Sequence, residues 1–176
     1  VTEYAVETDS SIDGSGTGAE IISPVFTKPR NMLNELNKFF DMVHDKGGST
    51  NRSTGLHVTM SWDGERNGLP SAAEPMKAKM ALLLGDKYLL QAFNRDGNSY
   101  AKSQYDNLKK ATEKLKQNMN DQASFEQLEA TLNDAISNDK FQAIHFKSQK
   151  DSQTGTNLIE FRIGGGEDYH LNFPKV

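Results

Sequence analysis

The sequence predicts an α+β fold, an antiparallel sheet with helices packed on one of its faces. Three observations lead there. Segments of strand character stand near both ends and enclose helical ones, the order expected when strands and helices segregate into layers. Two of the strand-like segments alternate apolar and polar residues, so that one side is buried, as antiparallel sheets allow. A stretch before residue 45 repeats its apolar residues at helical spacing.

Thr2–Thr8 alternates weakly and is expected to be a strand. Asp9–Gly18, dense in Ser, Gly and Asp, is a turn or hairpin loop. Ala19–Ile22 resumes as a strand, and Ser23-Pro24 ends it because proline cannot donate to a ladder. Met32, Leu33, Leu36, Phe39, Phe40 and Val43 form the apolar stripe of a helix that Gly47-Gly48 terminates. In the strand expected over Leu56–Ser61, Leu56, Val58 and Met60 share one face while His57, Thr59 and Ser61 share the other. Pro75 fits the first turn of a helix running through Met80, Leu83 and Leu84. Gly85-Asp86 interrupts it, and Tyr88–Phe93 continues either as a helix or as an extended piece. Asn94–Lys102 is a polar loop.

Two polar helices follow as an αα-hairpin laid on the outside of the sheet. One carries Tyr105, Leu108 and Leu115; the other opens on Ser124 and Gln127, a capping box, and carries Phe125, Leu128, Leu132 and Ile136. Phe141–Lys147 and Asn157–Ile163 then form a β-hairpin with a long loop, and Gly164-Gly165-Gly166 is expected to break its second strand. The expectation is a single domain over 1–176, with the helical hairpin inserted at about 103–138.

Composition narrows the function. There is no cysteine, which excludes thiolate catalysis, disulfides and Cys-based zinc sites. The net charge is -4 and the 20 basic residues form no stripe, so no nucleic-acid partner is expected. The longest apolar run, Ala81–Leu84, is far short of a span, so neither a membrane partner nor a signal peptide is expected. The chain starts at Val1, which suggests a piece of something longer with other domains of that chain as neighbours.

Parity places the chemistry. Ile159, Phe161 and Ile163 point towards the helices, whereas Glu160 and Arg162 point away; His145 lies opposite Ile144 and Phe146, and Glu20 opposite Ile21. Four strands thus offer Glu20, His57, His145 and the Glu160/Arg162 pair to an uncovered face. Carboxylates that hold a hard cation and an arginine that takes phosphate or carboxylate would suit a divalent ion with anionic substrates. The same residues are also what a sheet shows on its wet side, where Glu160 and Arg162 would be an exposed ion pair of small worth. His170, after the glycines, is a further loop candidate, and His44 belongs to a helix face. The triple glycine lacks the strand-to-helix setting of a phosphate cradle.

Four blocks, in order, resemble the amidoligase-like branch of the glutamine synthetase/glutamate–cysteine ligase superfamily. Asp9-Ser10-Ser11-Ile12 with Ala19-Glu20-Ile21-Ile22-Ser23-Pro24 is similar to that family's Asp-Gly-Ser-Leu turn and Glu-Ile-Val-Ser-Pro strand. Gly55-Leu56-His57-Val58-Thr59 resembles its Gly-Leu-His-Val-His strand, with Thr59 in place of the second histidine. Arg95 with Asn98-Ser99-Tyr100-Ala101-Lys102 resembles its Arg…Asn-x-Tyr-x-Lys loop. Phe141–Phe146, with His145 at the family's asparagine, resembles its Tyr-x-Ala-Val-Asn-Leu strand, and Gly155-Thr156 with Ile159-Glu160-Phe161-Arg162-Ile163 resembles its Thr-(Val/Ile)-Glu-Phe-Arg strand. The family's opening Gly-x-Glu-x-Glu strand has no counterpart here.

The resemblance implies the family's catalytic sheet, incomplete by that opening strand. It also implies an ATP- and Mg2+-dependent ligase that joins a small-molecule or peptide carboxylate to an amine through an acyl phosphate, in the cytoplasm. Glu20 would then be a metal ligand, His57, Glu160 and Arg162 the catalytic group, and Arg95 and Lys102 the cofactor-binding side. The alternative is a non-catalytic structural or binding domain of a larger phage or mobile-element protein, carried in a virion if it is a phage protein.

Overall fold

The computed structural model describes residues 3–14, 18–60, 76–118, 124–137, 139–147 and 158–172. In chain order its elements are β1 (Ala5–Thr8), β2 (Ala19–Ile22), α1 (Pro29–Asp45), β3 (Gly55–Met60), α2 (Lys77–Leu84), α3 (Asp86–Ala92), α4 (Tyr105–Asn118), α5 (Phe125–Asp134), β4 (Ile144–Lys147), β5 (Leu158–Gly165) and α6 (Tyr169–Asn172). The fold is α+β, with antiparallel pairing in the β1/β2 and β4/β5 ladders. Contacts divide the chain into two compact units, Val1–Gly55 with Gly165–Val176, and Leu56–Gly164.

In the first unit β1 and β2 pair by themselves, with Ala5 opposite Ile22 and Glu7 opposite Glu20. Their connection closes where the Asp9 N–H donates to the Gly18 carbonyl at 2.9 Å. The Asp9 carboxylate accepts from the Ser11 N–H and hydroxyl, an Asx turn that spares the backbone a partner of its own. Helix α1 starts on Pro29, whose fixed φ suits a first turn. It ends where Gly47 takes a φ of 71°, a conformation that costs a side-chain-bearing residue more. Of its apolar stripe Phe40 is fully buried, meeting Tyr169 of α6 edge-on with ring centroids 5.5 Å apart.

The second unit holds the larger core. Its sheet has the order β3-β5-β4, which puts the last strand in the middle. Ile144 and Phe146 of β4, with Ile159 and Ile163 of β5, pack against Ala78, Ala81, Leu90, Leu108 and Ile136 from the helical layer. Gly85 carries the chain from α2 to α3 at φ 57°, ψ 48°. The Ser124 hydroxyl accepts from the Gln127 N–H while the Gln127 side chain accepts from the Ser124 N–H, so α5 starts in the expected capping box.

Two buried polar residues fasten the layers. The Asp86 carboxylate accepts from the Ser103 hydroxyl at 2.7 Å and the Gln104 N–H at 2.6 Å, fixing the approach to α4. The Gln104 amide donates to the carbonyls of Ser137 and Ile144 and accepts from the Ser137 N–H, which ties α4 to β4. Neither could stay buried without these partners, since an unpaired amide or carboxylate loses its water for nothing.

Several expectations are corrected. Residues 141–143 do not extend β4: Gln142 bridges Lys102 in parallel, and the Lys102 N–H donates to the Phe141 carbonyl at 2.7 Å. The triple glycine does end β5, but part-way along: the strand runs through Gly164 and Gly165, and the break falls where Gly165 and Gly166 take φ of 122° and 102°. A side chain at Gly164 would put its Cβ 3.3 Å from that of Leu56, so here glycine serves close packing. Tyr88–Phe93 lies in and just past α3 as a helical piece. Leu83 (88% exposed) faces outward, because Ala78 and Ala81 turn the inner side of α2; Phe125 of α5 is 66% exposed as well, while Ile136 lies in the core. Ser61, Pro75, the loop Ser148–Thr156 and Asn157 fall outside the described residues.

Gly85→Ala is expected to destabilise the protein by about 1–2 kcal/mol, the cost of a Cβ in the left-handed region. Urea denaturation would show it, and an unchanged midpoint would contradict the assigned turn.

Candidate functional site

The site is built on the β4/β5 pair. Register sets His145 opposite Glu160 and Phe146 opposite Ile159. Alternation then gives Ile144, Phe146, Ile159 and Ile163 to the core, and His145, Lys147, Glu160 and Arg162 to the other side. That parity is the one read from the sequence. Its setting is not: the face was expected to be uncovered, yet Glu160 is 5% exposed and His145 6%. Glu160 and Arg162 are therefore no surface ion pair.

Burial of a carboxylate requires compensation, and Glu160 has three basic neighbours. Lys147 Nζ donates to Oε1 at 3.1 Å, Arg162 Nη1 donates to Oε2 at 3.4 Å, and His145 Nδ1 stands 3.5 Å from Oε2. Burial by itself would raise the carboxyl. The His145 and Lys147 contacts and the charges of Lys147 and Arg162 overcome it and hold Glu160 down at about 2. The His145 contact lies at the outer limit of hydrogen-bond length and is not a made hydrogen bond. Its role at rest is electrostatic.

Arg162, with 15% of its side chain exposed, keeps donors in hand: among the described residues its buried Nε has no hydrogen-bond partner. Arg95 behaves differently. Its Nη1 donates to the Arg162 carbonyl at 3.1 Å and to that of Gly164, so this buried guanidinium braces the end of β5. The Arg95 N–H in turn donates to the Leu90 carbonyl at 2.7 Å, fixing the residue just past α3.

His57 lies on β3, beside β5 in the sheet; Leu56 and Val58 are half-buried and His57 and Thr59 exposed, as expected, but Met60, expected on the face of Leu56 and Val58, is exposed at the strand's end. Partial loss of water, then the charge of Arg162, lowers its imidazole to about 4, with Arg95 and Lys147 adding to the shift and Glu160 opposing it. The residue is still reached by solvent, so crowding withdraws the ring from water only in part. At neutral pH His57 is an uncharged ring under the influence of three cations.

The remaining candidates are placed elsewhere. Glu20 sits exposed on the two-stranded β1/β2 sheet of the first unit, directly opposite Glu7, rather than on a strand of the β3-β5-β4 sheet. Periodicity had shown which way it points on its strand but not which strands pair. Lys102 is exposed, 3.4 Å from Asp139 and over the ring of Phe141. His170 is buried, with Nδ1 2.9 Å from the Thr50 hydroxyl, and holds α6 within the first unit. Among the described residues no group of three acidic or histidine side chains could hold a metal ion, and Glu160 is already engaged by cations. The described donor set does not make a Mg2+ site.

Sequence reading left Lys147 out of the site, although its period-two relation to His145 was a usable signal. No protein-family model, curated protein or solved structure matches this chain. Among the described residues, no helix is long and apolar enough to cross a membrane.

Glu160 gives a signed pH dependence. Its folded value lies below its ordinary 4.5, so its stabilisation is complete above that value and is lost as pH falls towards about 2. The loss is expected to be on the order of 3 kcal/mol. Chemical denaturation of Glu160→Gln at a series of pH values should show a flatter acid limb than the parent; parallel limbs would refute the assignment. For His57, an NMR titration should find a midpoint near 4 that rises in Arg162→Gln. A midpoint at its ordinary value of 6.5 would mean the ring stands free of this cluster.

Proposed function

We propose that this chain is an amidoligase-like domain, an ATP-dependent ligase that joins a carboxylate to an amine through an acyl phosphate. The observation that carries the reading is Arg162: a largely buried guanidinium that gives Glu160 a single long contact and leaves Nε without a partner among the described residues. A planar fork with donors to spare, with Lys147 on the same face, suits a phosphoryl or carboxylate oxyanion. Four sequence blocks in family order support the same reading. The ligand classes are a nucleotide, a small-molecule or peptide carboxylate and an amine; the setting is the cytoplasm, or a virion for a phage protein.

Within this scheme Glu160 keeps Arg162 and Lys147 in place and, held near 2, stays ionised instead of exchanging protons. Neutral His57 offers a ring nitrogen to nucleotide or substrate without adding charge. Arg95 acts through the β5 backbone, as a positioning residue. Bound ATP would supply the phosphoryl group that activates the carboxylate, and the oxyanion contacts of Arg162 and Lys147 would favour that transfer through charge stabilisation. No role is assigned to a protein-held Mg2+, which would enter with the nucleotide.

A second reading draws on the same cluster. Glu160 with its basic neighbours is also a self-sufficient buried network, as a non-catalytic binding or structural domain of a larger phage or mobile-element protein would need.

Calorimetry with Mg·ATP, together with hydroxamate formation from candidate carboxylates and hydroxylamine, separates the two. The ligase reading expects measurable heat, roughly tenfold weaker binding in Arg162→Gln (about 1.4 kcal/mol), and ATP-dependent hydroxamate. No heat at millimolar nucleotide and no hydroxamate would favour the non-catalytic domain.

A further inference from the structure

Of the buried groups on the polar face, His145 is the one that the proposed chemistry leaves without a task. It sits directly across the ladder from Glu160, its Nδ1 is 3.5 Å from Oε2, and that nitrogen has no made hydrogen bond among the described residues. Its surroundings are charged: Glu160 and Arg162 on β5, Lys147 on its own strand, and Asp139 within reach of its field. An imidazole beside an ionised carboxylate is driven towards the tautomer that carries its proton on the nearer nitrogen. Here that is Nδ1–H, which leaves the lone pair on Nε2. Such contacts are often long in the unliganded state and tighten when substrate binds.

From this geometry we propose that His145 is the general base of the amine-transfer step, with Glu160 as its positioning residue. The proposal rests on the ligase reading above. In the step, the amine nitrogen attacks the carbonyl carbon of the acyl phosphate and forms the C–N bond. The C–O bond to phosphate breaks, and phosphate leaves with the electron pair. His145 Nε2 takes the proton released from nitrogen. Glu160 keeps its charge throughout and steadies the imidazolium, as the buried acid of a Ser-His-Asp triad does. Arg162 and Lys147 keep Glu160 ionised, so the charge that orients His145 survives burial.

Two measurements test this. In the first, nitrogen NMR of the intact chain reads the tautomer of His145 without any substrate. Nδ1–H is expected, with a shift towards Nε2–H in Glu160→Gln; Nε2–H in the parent would overturn the pairing. In the second, amide formation from an ordinary amine is compared with hydroxamate formation. Hydroxylamine is largely unprotonated at neutral pH and has little need of a base. The amide-to-hydroxamate ratio is expected to fall roughly 100-fold in His145→Gln, the usual scale of a lost general base. An unchanged ratio overturns the role of His145 while leaving the ligase reading in place. Absence of hydroxamate in the parent overturns the ligase reading and, with it, the base.

Discussion

The constraint on which the larger unit of the molecule turns is a carboxylate in the middle of a sheet. Glu160 lies on the central strand, almost wholly out of water, and a bare carboxylate there would be too costly to keep ionised. Three basic side chains meet it, two from the partner strand and one two residues along its own. Their placement needs nothing beyond the pleat and the register, because period two puts His145, Lys147, Glu160 and Arg162 on one side as surely as it puts Ile144, Phe146, Ile159 and Ile163 on the other. A slip of one residue would send this charge into the apolar layer. Register and electrostatics therefore specify each other.

Around that ladder the polar fastenings follow one rule. Asp86, Gln104 and Arg95 are buried, and each is tied to backbone groups of a segment distant in sequence: Asp86 to the entry of α4, Gln104 to Ser137 and β4, Arg95 to the end of β5. Each bond offsets a desolvation cost and at the same time fixes one segment's place against another. The two glycine functions in this unit are local. Gly85 lets two short helices meet at an angle, and Gly164 lets Leu56 pack close to β5. The outward Leu83 shows that apolar character alone does not place a side chain, when two alanines already fill the inner face of α2.

These facts give the cluster chemical direction. A carboxylate held ionised, a guanidinium with an unused donor and the neutral ring of His57 make a place whose charges favour an oxyanion. The field that lowers His57 and the contacts that lower Glu160 have a common source in Arg162 and Lys147. Altering either cation is felt by both groups, and the site should be treated as one electrostatic object rather than as separate residues.

Much of this was legible in the sequence. The strand Ala19–Ile22, the helix closed by Gly47, the capping box at Ser124 and the inward and outward residues of β4 and β5 all follow from local preferences and periodicity, which depend only on near neighbours in the chain. What those preferences cannot express is which strands share a sheet and how much water remains over a face. So Glu20 was grouped with strands it does not pair with, a face taken as wet proved buried, and Arg95, expected at a ligand, was found bracing a backbone. The sequence by itself determined the class of fold and the direction in which His145, Glu160 and Arg162 point. Only the tertiary structure decided that Glu160 loses its water and gathers three bases in exchange, because burial and long-range pairing depend on contacts between residues that the chain order keeps apart.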